Sequence, residues 1–142
     1  EIHTTIQNRS ESVMPFSFGL HPYFNISDLA QTDLAGLNER CLNHLEMAET
    51  DTASQLGRLP DGVDFLCRPA GPVTLIDRTN GQQLQLQHQE PMDLTVIWTE
   101  PPRAMVCVEP WTGPRQSLIS GDRKLEIQPG SSCALSCRYA VS

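Results

Sequence analysis

The sequence predicts an all-β fold, an antiparallel β-sandwich, from three features. Polar and apolar residues alternate with period two in nearly every patterned segment, as in strands with one buried face and one wet face. Asn80-Gly81 stands between two such segments, and Asn-Gly in that position is a strong hairpin signal. No segment has the apolar spacing of an amphipathic helix. We therefore expect helix only as short turns.

Predicted strands follow one another along the whole chain. Residues 94–98 and 104–108 are continuously apolar, which is typical of central strands. Residues 27–40 allow either helical turns or loop, and the small polar residues of 50–62 predict a long surface loop. In order, the predicted strands cover residues 2–8, 14–24, 42–48, 73–78, 82–88, 94–98, 104–108, 124–128 and 131–141.

Composition limits the domain organisation and the partners. With 142 residues, of which 39% are hydrophobic, the chain fits one β-sandwich domain over residues 1–142. The net charge is −7 and the basic residues form no cluster, so no nucleic-acid partner is expected. No apolar run approaches the ~20 residues of a membrane-spanning helix, so no membrane partner is expected either.

The cysteines predict reduced thiols rather than a disulfide framework. The sequence has five cysteines, an odd number that suits reduced thiols. Because thiols stay reduced in the cytosol, we expect a cytoplasmic protein. Cys133 and Cys137 lie in one predicted strand, where four residues span about 13 Å. That separation suits neither a disulfide nor shared ligation of one zinc ion. We expect these two cysteines and Cys107 to be mostly buried.

Two motifs place an ionisable residue before a proline at the end of an apolar run. They are the segments 19–24 (GLHPYF) and 106–111 (VCVEPW). Proline keeps the preceding residue out of the helical region and offers no N–H to a sheet ladder. His21 and Glu109 are therefore expected at strand ends, as a candidate acid/base pair. A structural histidine and a solvated loop glutamate remain the ordinary alternatives on residue type alone.

Four stretches, in this order, resemble the aldose 1-epimerases (mutarotases) and their galactose-mutarotase-like relatives. The fold implied is the galactose-mutarotase-like supersandwich. The chain resembles only the C-terminal half of that fold, so we expect it to be the C-terminal portion of a longer domain that begins before residue 1. The stretches are residues 15–24, 62–66, 104–114 and 125–139.

The resemblance implies roles for four residues. Glu109 would be the base and His21 the acid in opening a sugar ring, a reaction that requires no cofactor and no metal. An apolar pocket would raise the pKa of such a carboxylate toward neutrality, and a histidine can donate a proton near neutral pH. Asp64 would hold sugar hydroxyls and Trp111 would stack on the sugar. Asp64 as a turn residue and Trp111 as strand-end packing remain open.

Two other functions stay open at this point. The chain could be a non-catalytic carbohydrate-binding sandwich or an inactive half of a mutarotase. Alternatively, Asp64 and Glu109 could be a glycosidase pair, for which a separation of about 5–5.5 Å or 6.5–9.5 Å is expected. Exposed sheet edges also suggest a homodimer.

Overall fold

Antiparallel β-strands build the protein, which confirms the predicted fold class. A computed structural model describes residues 1–142 and contains two sheets with eleven strands in all. Helix is confined to short turns at Leu29–Gln31, Thr52–Leu56 (α1), Leu59–Asp61 and Ser117–Ser120 (α2). The strands are β1 (Ile2–Gln7), β2 (Met14–Phe16), β3 (Tyr23–Asn25), β4 (Thr32–Asn43), β5 (Ala48–Asp51), β6 (Asp64–Asp77), β7 (Gln83–His88), β8 (Leu94–Trp98), β9 (Met105–Trp111), β10 (Leu125–Ile127) and β11 (Ser132–Val141).

The main sheet is organised around β6. Its strand order is β1-β11-β7-β6-β8-β9-β3, and β4 pairs with both β6 and β5. The first part of β6 pairs with β8 and the second part with β7, so this long strand joins the two ends of the sheet. The remaining pair, β2 with β10, forms a separate small sheet.

Several predicted elements are present where expected. The predicted strand 94–98 is β8, and the predicted Asn80-Gly81 turn joins β6 to β7. Gly81 adopts φ +76°, a left-handed conformation that suits glycine. The cysteines are all free, with Cys107 and Cys137 buried and Cys133 half-buried. No helix in the structure is long and apolar enough to cross a membrane.

Three sequence expectations between residues 27 and 62 were wrong in whole or in part, although the helical turn at Leu29–Gln31 agrees with the interpretation of 27–40. Most of 27–40 is strand β4, and the predicted strand 42–48 instead contains the turn between β4 and β5. The predicted loop 50–62 contains helical turns with buried side chains, among them Leu59. A bulge explains the first error: Gly36, at φ +83°, packs on the Pro72 carbonyl, and the register of β4 shifts there. The shift interrupts the period-two pattern.

The main hydrophobic core lies on one face of the central strands. It includes Phe65, Ile97, Val106 and Val108. Because side chains alternate along a strand, Glu109 points from β9 to the opposite face. The register pairs Glu109 with Val96 and Val96 with Leu66, so these residues form one row across that opposite face. The candidate site is on this second face.

Candidate active site

The segment before β3 carries His21 to the end of β9. Gly19 forms an isolated antiparallel bridge with Trp111, and the Leu20 N–H donates to the Pro110 carbonyl at 3.2 Å. These contacts add a short extra edge to β9, which is the strand that bears Glu109. The two pre-proline residues of the sequence therefore meet in space.

His21 and Glu109 are in direct contact. His21 Nε2 lies 3.2 Å from Glu109 Oε1. The two side chains differ sharply in exposure, since the imidazole is 50% exposed and the carboxylate only 1%. A ligand can therefore reach this pair from the His21 side, while Glu109 sits at the floor of the site.

Trp111 holds the other oxygen of the glutamate. Its indole Nε1–H donates to Glu109 Oε2 at 3.0 Å, so both carboxylate oxygens have a partner. Burial raises the pKa of Glu109 from its ordinary 4.5 to about 7. The Trp111 hydrogen bond and the Arg115 charge act to lower this pKa, and the Asp64 charge acts to raise it. At neutral pH this carboxyl group can therefore both accept and release a proton.

Asp64, at the start of β6, has a different environment. His44 Nδ1 lies 2.7 Å from Asp64 Oδ1, and the Arg115 guanidinium donates to Oδ2 at 2.7 Å. Burial acts to raise the pKa of Asp64, but the hydrogen bonds and charges of these two neighbours outweigh it. The pKa therefore lies below the ordinary value of 3.8.

A cavity of about 230 Å³ brings three of the four predicted site residues together: His21, Glu109 and Trp111. It is smaller than the roughly 300–1,000 Å³ typical of drug-sized ligands, which is consistent with a small ligand. Asp64 is not among its lining residues and connects to it through His44, whose ring stacks on Trp111 at a centroid distance of 6.1 Å. The remaining lining residues are Ser17, Phe18, Gly19, Leu20, Gly113 and Pro114.

Aromatic rings support the exposed histidine. His21 stacks on Tyr23 with ring centroids 4.9 Å apart, and its ring meets the edge of Trp98 at 5.5 Å. Tyr23 is 58% exposed, so an apolar surface borders the site beside His21.

The same corner contains a possible set of metal ligands. One ligand atom from each of His21, Cys107 and Glu109 lies within 4.8 Å of the other two. Burial, together with the Glu109 charge, raises the pKa of the Cys107 thiol to about 12. Because a thiol loses its proton when it binds a metal, a metal ion at this corner would have to displace the Cys107 proton.

A larger cavity, of about 330 Å³, shares Pro114 with the first and is lined by Arg40, Arg68 and Arg123, among others. Arg40 pairs with Asp51, and Arg123 pairs with Asp93. Glu49 and Asp122 also line this cavity, so its lining carries charges of both signs.

Sequence reasoning missed His44 and made no prediction for Arg115. His44 follows β4 directly, and its backbone N–H donates to the Asp64 carbonyl at 2.8 Å, so the two residues are cross-strand neighbours. Only the register of β4 against β6 reveals this contact. The β4 bulge hides that register from the sequence.

Comparison with known proteins identifies the family. The family model described as aldose 1-epimerase matches residues 1–139. The chain belongs to the aldose 1-epimerase family. No curated protein matches the sequence.

Several solved structures have folds similar to the fold of this epimerase-family chain. The Slr1438 protein from Synechocystis sp. PCC 6803 is 27% identical, with a TM-score of 0.90 over 99% of this chain and 49% of the relative. A putative aldose 1-epimerase from Escherichia coli K12 is 17% identical, with a TM-score of 0.79 over 99% of this chain and 55% of the relative.

A galactose mutarotase-like protein from Lactobacillus casei ATCC 334 is 20% identical, with a TM-score of 0.77 over 99% of this chain and 58% of the relative. The chain thus spans about half the length of these relatives.

Proposed function

We propose that this chain carries the acid/base pair of an aldose 1-epimerase, which interconverts the α and β anomers of a free aldose. The observation that carries the proposal is the His21–Glu109 contact at 3.2 Å, with a buried glutamate whose pKa is about 7. A base poised near neutral pH beside a histidine is what ring opening requires. Membership of the family supports the same reaction.

In the proposed reaction, ionised Glu109 removes the proton from the sugar C1 hydroxyl. The C1–oxygen electrons form the aldehyde, the bond from C1 to the ring oxygen breaks, and protonated His21 gives its proton to the ring oxygen. Rotation about the C1–C2 bond and the reverse transfers then close the ring as the other anomer. The sugar replaces the direct His21–Glu109 contact, and that contact re-forms when the product leaves.

We further propose sugar contacts for Asp64 and Trp111. Both Asp64 oxygens already have partners, but an ionised carboxylate retains further lone pairs for a hydroxyl. Trp111 uses its N–H on Glu109 and lines the cavity beside it. Because Asp64 is not among the residues that line the cavity, we propose for it a contact with an outlying sugar hydroxyl only. A glycosidase pairing of Asp64 with Glu109 is disfavoured, since both carboxyl groups of such a pair must flank the scissile bond.

A carbohydrate-binding module or an inactive half-domain is the second candidate. It is favoured by one observation: the chain spans only 49–58% of the solved relatives described above. Residues of the other half of such a fold would then complete the site.

Anomer exchange measured by two-dimensional exchange NMR on glucose and galactose tests the proposal with this chain. We expect Glu109→Gln and His21→Asn to lower the exchange rate by about 10²- to 10⁴-fold. The rate of the unmodified protein should fall as the pH decreases below about 7, because Glu109 becomes protonated.

Glu126→Gln serves as the matched control, since Glu126 is an exposed glutamate on β10. An undiminished rate in Glu109→Gln would contradict the assignment. Sugar binding seen by saturation-transfer NMR without any exchange would favour the binding module instead.

A further inference from the structure

His44 is a buried ionisable residue that the proposed reaction does not use. Its side chain is 0% exposed, and its Nδ1 lies 2.7 Å from Asp64 Oδ1. Its other ring nitrogen, Nε2, is buried without a hydrogen-bond partner. Burying an unpaired ring nitrogen is unfavourable, so Nε2 does not by itself account for the location of this ring.

The fold directs this ring toward the candidate site. The backbone bond between His44 and Asp64 continues the antiparallel β4–β6 ladder, so their side chains leave the sheet on the same face. The imidazole then stacks on Trp111 with an interplanar angle of 30°. Asp64 thus holds the ring by one nitrogen, and the ring face meets the indole.

Trp111 has little freedom in this position. A Cβ atom added to Gly19 would lie 2.6 Å from Trp111 Cδ1 and 2.8 Å from Nε1, so the Gly19 backbone already packs closely on the indole. With His44 as a second contact, the indole N–H is aimed at Glu109 Oε2.

We propose that His44 is a positioning residue of the site: held by Asp64, its ring keeps Trp111 in the orientation that donates a hydrogen bond to Glu109. The inference rests on the role of Glu109 proposed above. His44 would act through Trp111 and need not touch the sugar.

The proposal predicts a measurable change in the titration of Glu109. The Trp111 hydrogen bond favours the ionised carboxylate, so a loosened indole should move the titration of Glu109 to higher pH. Five other ionisable groups contact Glu109 or interact with it electrostatically. They are His21, Asp64, Cys107, Arg115 and Tyr139.

The test uses the indole N–H resonances of the ¹⁵N-labelled chain. The protein has only two tryptophans, Trp98 and Trp111, and Trp98→Phe assigns the two cross-peaks. The Trp111 cross-peak should titrate with the midpoint of Glu109. In His44→Leu this midpoint should rise by about 0.5–1 pH unit, since part of a charge-assisted hydrogen bond is lost. In His44→Phe, which keeps a ring against the indole, the rise should be smaller.

His3→Leu, a substitution of an exposed histidine, is the matched control and should leave the midpoint unchanged. Equal midpoints in folded His44→Leu and in the unmodified chain would overturn the proposal. Equal rises in the Leu and Phe variants would also overturn it, because they would mean that charge, rather than ring packing, links His44 to Glu109. If His44→Leu does not fold, His44→Gln, which has an amide to donate to Asp64 but no ring against the indole, takes its place, and an unchanged midpoint in that variant would overturn the proposal. The measurement needs no sugar turnover, so it is independent of whether the chain is catalytic.

Discussion

Two shielded carboxyl groups on the same face of the sheet have opposite environments. Glu109 is 1% exposed and accepts a hydrogen bond from the neutral Trp111 indole, and burial raises its pKa to about 7. The side chain of Asp64 is 13% exposed and contacts His44 and Arg115, whose hydrogen bonds and charges outweigh burial and lower its pKa. Similar burial therefore yields opposite shifts, because the partners differ.

The difference separates a reactive group from a supporting one. A carboxyl group that titrates near neutral pH can take and release a proton during turnover, whereas one held ionised can only bind, orient or attract. Asp64 also orients His44, and its charge acts to raise the pKa of Glu109. The two carboxyl groups are therefore expected to respond in opposite directions to neutral substitution.

Removing the Asp64 charge should cost the most stability. Asp64→Asn should lower the free energy of unfolding at pH 7 by about 2–4 kcal/mol, since two charge-assisted hydrogen bonds are weakened. A lowered pKa means that this stabilisation is present above the ordinary pKa of 3.8 and is lost as the pH falls through the folded-state value. Urea unfolding at a series of pH values measures this loss. Equal stability of the two proteins at pH 7 would show that Asp64 is not held by its partners.

Removing the Glu109 charge should act in the opposite direction. With a folded-state pKa of about 7, the favourable contribution of its proton is fully present below the ordinary 4.5 and is lost as the pH rises through about 7. Glu109→Gln should therefore raise the free energy of unfolding at pH 8 by about 1–3 kcal/mol and change it little at pH 4. The exposed-site variant Glu126→Gln should show no such pH-dependent gain. A destabilised Glu109→Gln protein at pH 8 would contradict the raised pKa.

The close packing of Gly19 on Trp111 predicts a smaller effect. Gly19→Ala would place a Cβ atom 2.6 Å from the indole, so the ring must move and the free energy of unfolding should fall by about 1–2 kcal/mol. Gly71→Ala is the control, because nothing lies within 4 Å of a Cβ atom there. Thermal unfolding of both variants makes the comparison. Equal melting temperatures would show that the Trp111 ring is not confined by Gly19.

Local pattern indicated one of these two carboxyl groups as a candidate site residue and gave no indication of the environment of the other. Glu109 and His21 each precede a proline after an apolar run, so the sequence shows both motifs, and the extra bridge at Gly19 brings them together. The environment of Asp64 depends on β4, where the Gly36 bulge breaks the alternation and left the strand unpredicted. His44 could not be linked to Asp64 without that register.

The helical turns near α1 illustrate the same limit. Most residues of 52–61 are small or polar, and the segment contains the turn formers Gly57 and Pro60, so its sequence is typical of a surface loop. In the structure Thr52, Gln55 and Leu59 are nevertheless buried. Leu59 belongs to the main core, and contacts distant in sequence decide this burial.

A carboxyl-carbon NMR titration of the ¹³C-labelled chain measures the opposite pKa shifts of Glu109 and Asp64 directly. One glutamate, assigned as Glu109 by its loss in Glu109→Gln, should titrate with a midpoint of about 7. One aspartate, lost in Asp64→Asn, should titrate below 3.8. A Glu109 midpoint near its ordinary 4.5 would contradict a proton-transfer role for Glu109, because the group would then be an ionised carboxylate at neutral pH, like Asp64.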